Sequence, residues 1–180
     1  MAWKMKDYDE SVAWKEQKRI RDRFPGIATV PFECFSGWFP LLERMFEDIA
    51  AAIPEGKENA WALWQVKEKL SGLRVYWRYA SDDTSAEVEA IRSRIQKAVR
   101  LAEAQADHTC EICGARGRFH NKRGSFMLRC DEHADGGIAD PDAKAIVYGI
   151  GGKRFHFDPD ADEFAPIPAD PDDRRRKRPK

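Results

Sequence analysis

Four residues in one stretch have the types and spacing of a metal site. Cys110 and Cys113 enclose two residues, as do Cys130 and His133, and sixteen residues separate the pairs, giving C-x2-C-x16-C-x2-H. A two-residue gap lets one tight turn aim two side chains at a single ion. Two such knuckles at this separation are the pattern of a zinc ribbon. Three thiolates and an imidazole suit the borderline softness of Zn2+, which takes four ligands tetrahedrally. Gly114 follows Cys113, where the knuckle turn calls for a positive φ. With four protein ligands at regular spacing, the expected centre holds one structural Zn2+ and keeps no open position for a reacting water. A disulfide framework would leave His133 without a role and needs an oxidising compartment. One histidine among four ligands also fits zinc better than an iron–sulfur cluster. His108 has a worse spacing and reads as a surface or packing residue, and Cys34, far off in sequence, as a small buried apolar residue.

The segment between the knuckles, residues 114–129, holds Arg116, Arg118, Lys122, Arg123 and Arg129 and no acidic residue, with Phe119, His120 and Asn121 among them. Cations neutralise phosphates, while an aromatic ring or an amide can stack on or bond to bases. Arg116, Arg118, Phe119, Lys122, Arg123 and Arg129 are therefore candidate nucleic-acid contacts on a metal-held hairpin. The plainer alternative is a solvated hairpin on a purely structural module.

Charge elsewhere opposes that role. The chain has 180 residues with 31 Lys+Arg and 31 Asp+Glu, but six of the basic residues lie in the last seven positions. Residues 1–173 carry a formal charge of −6 and would repel phosphate at long range. The tail either reaches for a polyanion or is a disordered, solubilising end. A mean hydropathy of −0.67 with 42% hydrophobic residues predicts a globular body with polar loops. The start of the chain (Met1-Ala-Trp-Lys-Met-Lys-Asp7) lacks an apolar export segment, and no apolar run approaches the ~20 residues of a membrane span. A cytoplasmic protein without a membrane partner is expected.

The elements that must position the knuckles follow from periodicity. Residues 9–23 read as a marginal helix, because Val12, Trp14 and Ile20 form no clean stripe. Leu41, Leu42, Met45, Phe46, Ile49 and Ile53 define an amphipathic helix over 40–53, with Pro40 in its first turn. Residues 61–79 are predicted as a hairpin turning at Ser71-Gly72, with Leu73, Val75, Trp77 and Tyr79 on one face. Its aromatics read as core before they read as a stacking platform. A capping box, Thr84-Ser-Ala-Glu87, opens the helix over 84–106, whose stripe is Val88, Ile91, Ile95, Val99 and Ala102. Glu103 falls on its solvated face. A second hairpin joins Ala145–Ile150 to Arg154–Phe157 through Gly151-Gly152. Asp158–Glu163 fails as a calcium loop, lacking Gly and Glu where they are needed.

The expected fold is thus α+β, with two principal helices and a short hairpin, a Cys3His zinc-ribbon-like module and a C-terminal β-hairpin. The predicted divisions are a helical extension (1–26), the α+β body (27–106), the zinc module (107–135), the hairpin (136–165) and a disordered tail (166–180). Gly37-Trp-Phe-Pro-Leu-Leu42, Gln65-Val-Lys-Glu-Lys69 with Gly72-Leu-Arg74 and Tyr76, Thr109–Gly114 with Gly117, and Cys130–His133 together resemble a group of small bacterial and phage or prophage proteins with a C-terminal zinc-ribbon-like module. The resemblance spans roughly residues 24–135. This chain has Leu70-Ser71 where that group has Phe-Gly, and Gly124-Ser-Phe126 where it has Gly-Trp; the ligands are intact. The resemblance implies the fold, the metal and a mobile-element setting, but no reaction. No nucleophile motif, Gly-rich phosphate loop or HExxH helix is present. A non-enzymatic module that binds nucleic acid is expected. The alternative is an adaptor or inhibitor that docks on a host or phage protein, with a purely structural zinc.

Overall fold

Asp9 opens the first helix: its Oδ1 accepts from the backbone N–H of Ser11 at 2.8 Å and of Val12 at 3.3 Å, donors that have no partner inside the helix. The helix, α1, runs Glu10–Arg23 in the computed structural model, which describes residues 8–140 and 146–168. It has 14 residues and lies within the expected span of 9–23. Its apolar anchors are few, Ile20 and Ala13 being the buried ones, but ion pairs tie it down. Arg19 bonds Glu43 at 2.6 Å, and Arg23 reaches both Glu43 and Glu47.

Strand β1 (Phe32–Glu33) and a short 3-10 turn at Ser36–Trp38 lead into α2 (Phe39–Ala52). This helix buries Phe39, Leu41, Leu42, Met45, Phe46, Ile49 and Ala52, matching the expected stripe. Each large apolar side chain so buried contributes about 1.5–3 kcal/mol. Strands β2 (Trp61–Lys69) and β3 (Gly72–Tyr79) are antiparallel, and β1 joins β2 in parallel. The connecting residues are Leu70 and Ser71, at φ 53° and 66°, one position earlier than expected. Two successive positive φ values match the twist of the strands.

Helix α3 (Ala86–Ala106) is capped by Ser85, whose hydroxyl accepts from Val88 N–H, rather than by Thr84. Its stripe closes the core with α2 and the inner face of the sheet. Glu103 is not solvated but buried: one carboxylate oxygen accepts from Val75 N–H at 3.2 Å and the other pairs with Arg100 at 2.7 Å. Val75 lies on the edge strand, and the carboxylate satisfies an N–H that no neighbouring strand can reach.

A second sheet is formed by β4 (Arg118–Lys122), β5 (Ser125–Arg129) and β6 (Ile138–Ala139), in the order β5-β4-β6. Its Leu128 is fully buried in the same core as the helices. The described residues from Tyr8 to Asp140 make one compact unit. The described residues from Ile146 to Pro168 belong to the other unit. There the expected hairpin gains a third strand: β7 (Tyr148–Ile150), β8 (Lys153–Asp158) and β9 (Glu163–Pro166) are antiparallel neighbours. Phe164 touches Tyr148, Phe155 and Phe157, with ring centroids 5.4–6.1 Å apart. The basic end of the chain lies outside the described residues. Among those described, no helix is long and apolar enough to cross a membrane.

Candidate metal centre

The first knuckle is built where α3 ends. Gly114 N–H bonds Cys110 C=O at 2.9 Å, and Cys110 N–H bonds Ala115 C=O at 2.7 Å. Gly114 sits at φ 76°, the positive value expected from its place after Cys113. Strand β5 delivers the second knuckle. After Cys130 the chain makes a 3-10 turn over Asp131–His133, with His133 N–H on Cys130 C=O at 3.1 Å.

The four expected ligands converge. One donor atom from each of Cys110, Cys113, Cys130 and His133 lies within 4.8 Å of every other, a set able to hold one metal ion. The Cys113 and Cys130 sulfurs are 3.7 Å apart, far beyond a disulfide bond, and all four cysteines are free thiols. His133 turns Nδ1 toward the sulfurs, 3.1 Å from Cys130 and 3.8 Å from Cys110. Burial pushes the Cys110 thiol up, but backbone groups of Cys113, Cys130 and Ile112 outweigh it and favour the thiolate. Burial and the neighbouring sulfurs push Cys113 up to about 11. Deprotonated together, the three sulfurs would repel one another, and a bound dication would supply the countercharge. Cys34 takes no part. It packs beside the core, where burial raises its thiol to about 12.

The knuckles are seated on the body. Gly37 N–H bonds Glu111 C=O at 2.9 Å, and Trp38 Nε1–H donates to Thr109 C=O at 2.9 Å. A Cβ at Gly37 would lie 2.3 Å from the Cys110 carbonyl oxygen, so only glycine fits this contact. Glu111, between the two first-knuckle cysteines, is buried and accepts from Arg129 Nε–H at 2.7 Å. Arg129 also reaches the His133 carbonyl at 3.4 Å. Sequence reasoning passed over Glu111; its only signal is a charged residue inside a knuckle that otherwise needs none.

The six nucleic-acid candidates fare differently. Arg129 is buried and joins the two knuckles. Arg118 pairs with Asp131 and Lys122 with Asp135, the latter at 2.6 Å. Phe119 packs against the core. Arg116 is exposed just after the first knuckle, and Arg123 is exposed at the hairpin tip with φ 54°. His120 is fully buried with Nδ1 at 3.0 Å from the Arg118 carbonyl, and Asn121 Oδ1 accepts from Gly124 N–H to close the turn. Neither is presented as a base-reading group. The acids that neutralise the hairpin, Asp131 and Asp135, flank its second knuckle, outside the segment whose charge suggested the role.

No family model, curated protein or solved structure matches this chain.

Proposed function

We propose that the Cys3His cluster holds one structural Zn2+ and that the chain is a non-enzymatic interaction module of mobile-element type. One observation carries the metal reading: four soft-to-borderline ligand atoms from two knuckles close on a single point. The separations on the page, 3.1 Å for Cys130–His133, 3.7 Å for Cys113–Cys130 and 3.8 Å for Cys110–His133, are of the size that ligands sharing one small ion have. Four protein ligands leave no site for substrate, so the ion's work is to hold the hairpin against Gly37 and Trp38. Among the described residues this is the one cluster of metal-ligating side chains. The resemblance of residues 24–135 supports the mobile-element setting.

A nucleic acid on the metal hairpin remains the expected use of Arg116 and Arg123. Phosphates reaching Arg118 or Lys122 must displace Asp131 or Asp135. Docking on a protein needs no such displacement.

Elemental analysis and native mass spectrometry of the purified chain test the metal. One zinc per chain is expected, with loss of zinc and of cooperative melting in Cys113→Ser. A metal-free protein that melts as sharply as the zinc-treated one sinks the assignment. Salt-dependent binding of labelled oligonucleotides that is lost in an R116A/R123A variant would assign the hairpin as the contact.

A further inference from the structure

The cations that the metal hairpin spends on its own carboxylates have counterparts elsewhere that are not so spent. On the face of the β1-β2-β3 sheet turned away from the helices, register places Lys67 beside Arg74, Gln65 beside Tyr76, and Ala62 beside Arg78. Lys69 ends the row next to Gly72. None of Lys67, Lys69, Arg74 and Arg78 makes an ion pair with a described carboxylate. Lys67 Nζ lies over the Tyr76 ring at 5.3 Å, and Arg74 donates to the Leu73 carbonyl. Glu33, beside Lys67, accepts from Gln65 at 2.8 Å, and Glu68 accepts from Ser71 N–H at 2.6 Å at the turn. Both carboxylates are thus occupied by other donors.

Two aromatic side chains stand among the cations. Trp64 is 61% exposed and Tyr76 39% exposed. The pairing shifts between Leu63 and Gln65, leaving Trp64 as an extra residue in β2. Strict alternation from Trp61 and Leu63 would turn Gln65 and Lys67 into the core and Val66 outward. The bulge resets the phase: Val66 is fully buried, and both Trp64 and Gln65 are left outside. An indole left in water by a bulge, next in sequence to the Gln65–Tyr76 pair and on a face whose cations make no described ion pair, is more than leftover core. Trp61 and Tyr79 are buried and Trp77 stacks on Trp61 at 5.7 Å, so the core has its aromatics already.

We propose that this outer sheet face binds single-stranded nucleic acid, with bases stacking on Trp64 and Tyr76 and phosphates meeting Lys67, Lys69, Arg74 and Arg78. Every base has a π-face, so stacking tolerates sequence. A duplex hides those faces, which favours single strands. Lys67 leaves the Tyr76 ring to take a phosphate as a base takes its place. The proposal rests on the reading of the chain as an interaction module, but not on the metal.

The test is fluorescence anisotropy of the full zinc-treated chain with labelled oligo(dT) and oligo(U) of about twelve nucleotides. Duplex DNA and poly-glutamate are the competitors, and the variants are W64A, Y76A, W64F, R74A/R78A and R116A/R123A. Melting curves and zinc content establish that each variant is folded. Binding of the single strands is expected at low salt, weakened roughly tenfold by W64A and by Y76A and largely kept by W64F. R74A/R78A should flatten the dependence on log salt by about two phosphate contacts. R116A/R123A reports on the metal hairpin separately, and any effect it has should add to that of W64A. No binding at low salt, binding unmoved by W64A and Y76A, preference for duplex, or equal competition by poly-glutamate would each overturn the proposal. The last would mark the face as a site for acidic protein. Zinc loss with intact oligonucleotide binding would strike the metal reading alone.

Discussion

Arg129 Nε–H donates to the Glu111 carboxylate at 2.7 Å, both side chains being more than nine-tenths buried. The pair joins the strand entering the second knuckle to the interior of the first. Burial, with a smaller push from the Glu68 charge, drives the Glu111 carboxyl upward, and Arg129 offsets part of that rise. Removing only the cation leaves a buried carboxylate without a partner. Arg129→Met is therefore expected to cost about 3–5 kcal/mol. Replacing both as E111L/R129M should recover much of that loss, because a paired charge is scarcely better than apolar packing. Denaturant melts of the two single variants and the double variant measure the coupling, and strict additivity would contradict this account.

Gly37 should tolerate no side chain. Its added Cβ would meet the Cys110 carbonyl oxygen at 2.3 Å and the Glu111 carbonyl oxygen at 2.6 Å, both backbone atoms that cannot swing aside. Gly37→Ala is expected to destabilise by about 3 kcal/mol and to weaken metal retention. Gly149→Ala, with nothing within 4 Å, serves as the near-neutral control. A Gly37→Ala protein with wild-type melting and zinc content would show that the knuckle is not seated on this turn.

Acid should loosen α1 from α2. Hydrogen bonds from Arg19, with Arg23 adding to them, hold the Glu43 carboxyl down at about 2, below its ordinary 4.5. A depressed carboxylate contributes stability that is present above about pH 4.5 and is lost as the pH falls toward 2. Both guanidinium groups are about half exposed, so water screens the interaction and the contribution is about 1 kcal/mol. Glu43→Gln should lower stability at neutral pH and flatten the acid limb of the stability curve. An unchanged acid limb would place the transition on other groups.

Cobalt should report the ligand set directly. Co2+ taken up by the metal-free chain is expected to show intense visible absorption of a tetrahedral site and sulfur-to-cobalt charge transfer, both displaced by Zn2+. His133→Cys should shift the spectrum toward a four-sulfur site, and weak octahedral bands would contradict closure by four protein ligands.

How much of this was legible in advance follows from the range of each interaction. Ligand spacing, the positive φ at Gly114 and the stripes of α2 and α3 are local properties of the chain, and the sequence alone determined them. The attachment of α1 to α2 was not legible, because Arg19 and Arg23 find Glu43 and Glu47 some twenty positions away. Glu103 reads as solvent-facing until β3 supplies the Val75 N–H. The basic segment between the knuckles reads as a phosphate surface until folding brings Asp131, Asp135 and Glu111 onto Arg118, Lys122 and Arg129. The exposed aromatics depend on one bulge in β2, which changes which face each following residue takes. Residue types and periodicity thus determined which four side chains could hold a metal ion, and the α+β class. Only the tertiary structure decided which charges are spent internally, because that depends on long-range partners that local spacing does not encode.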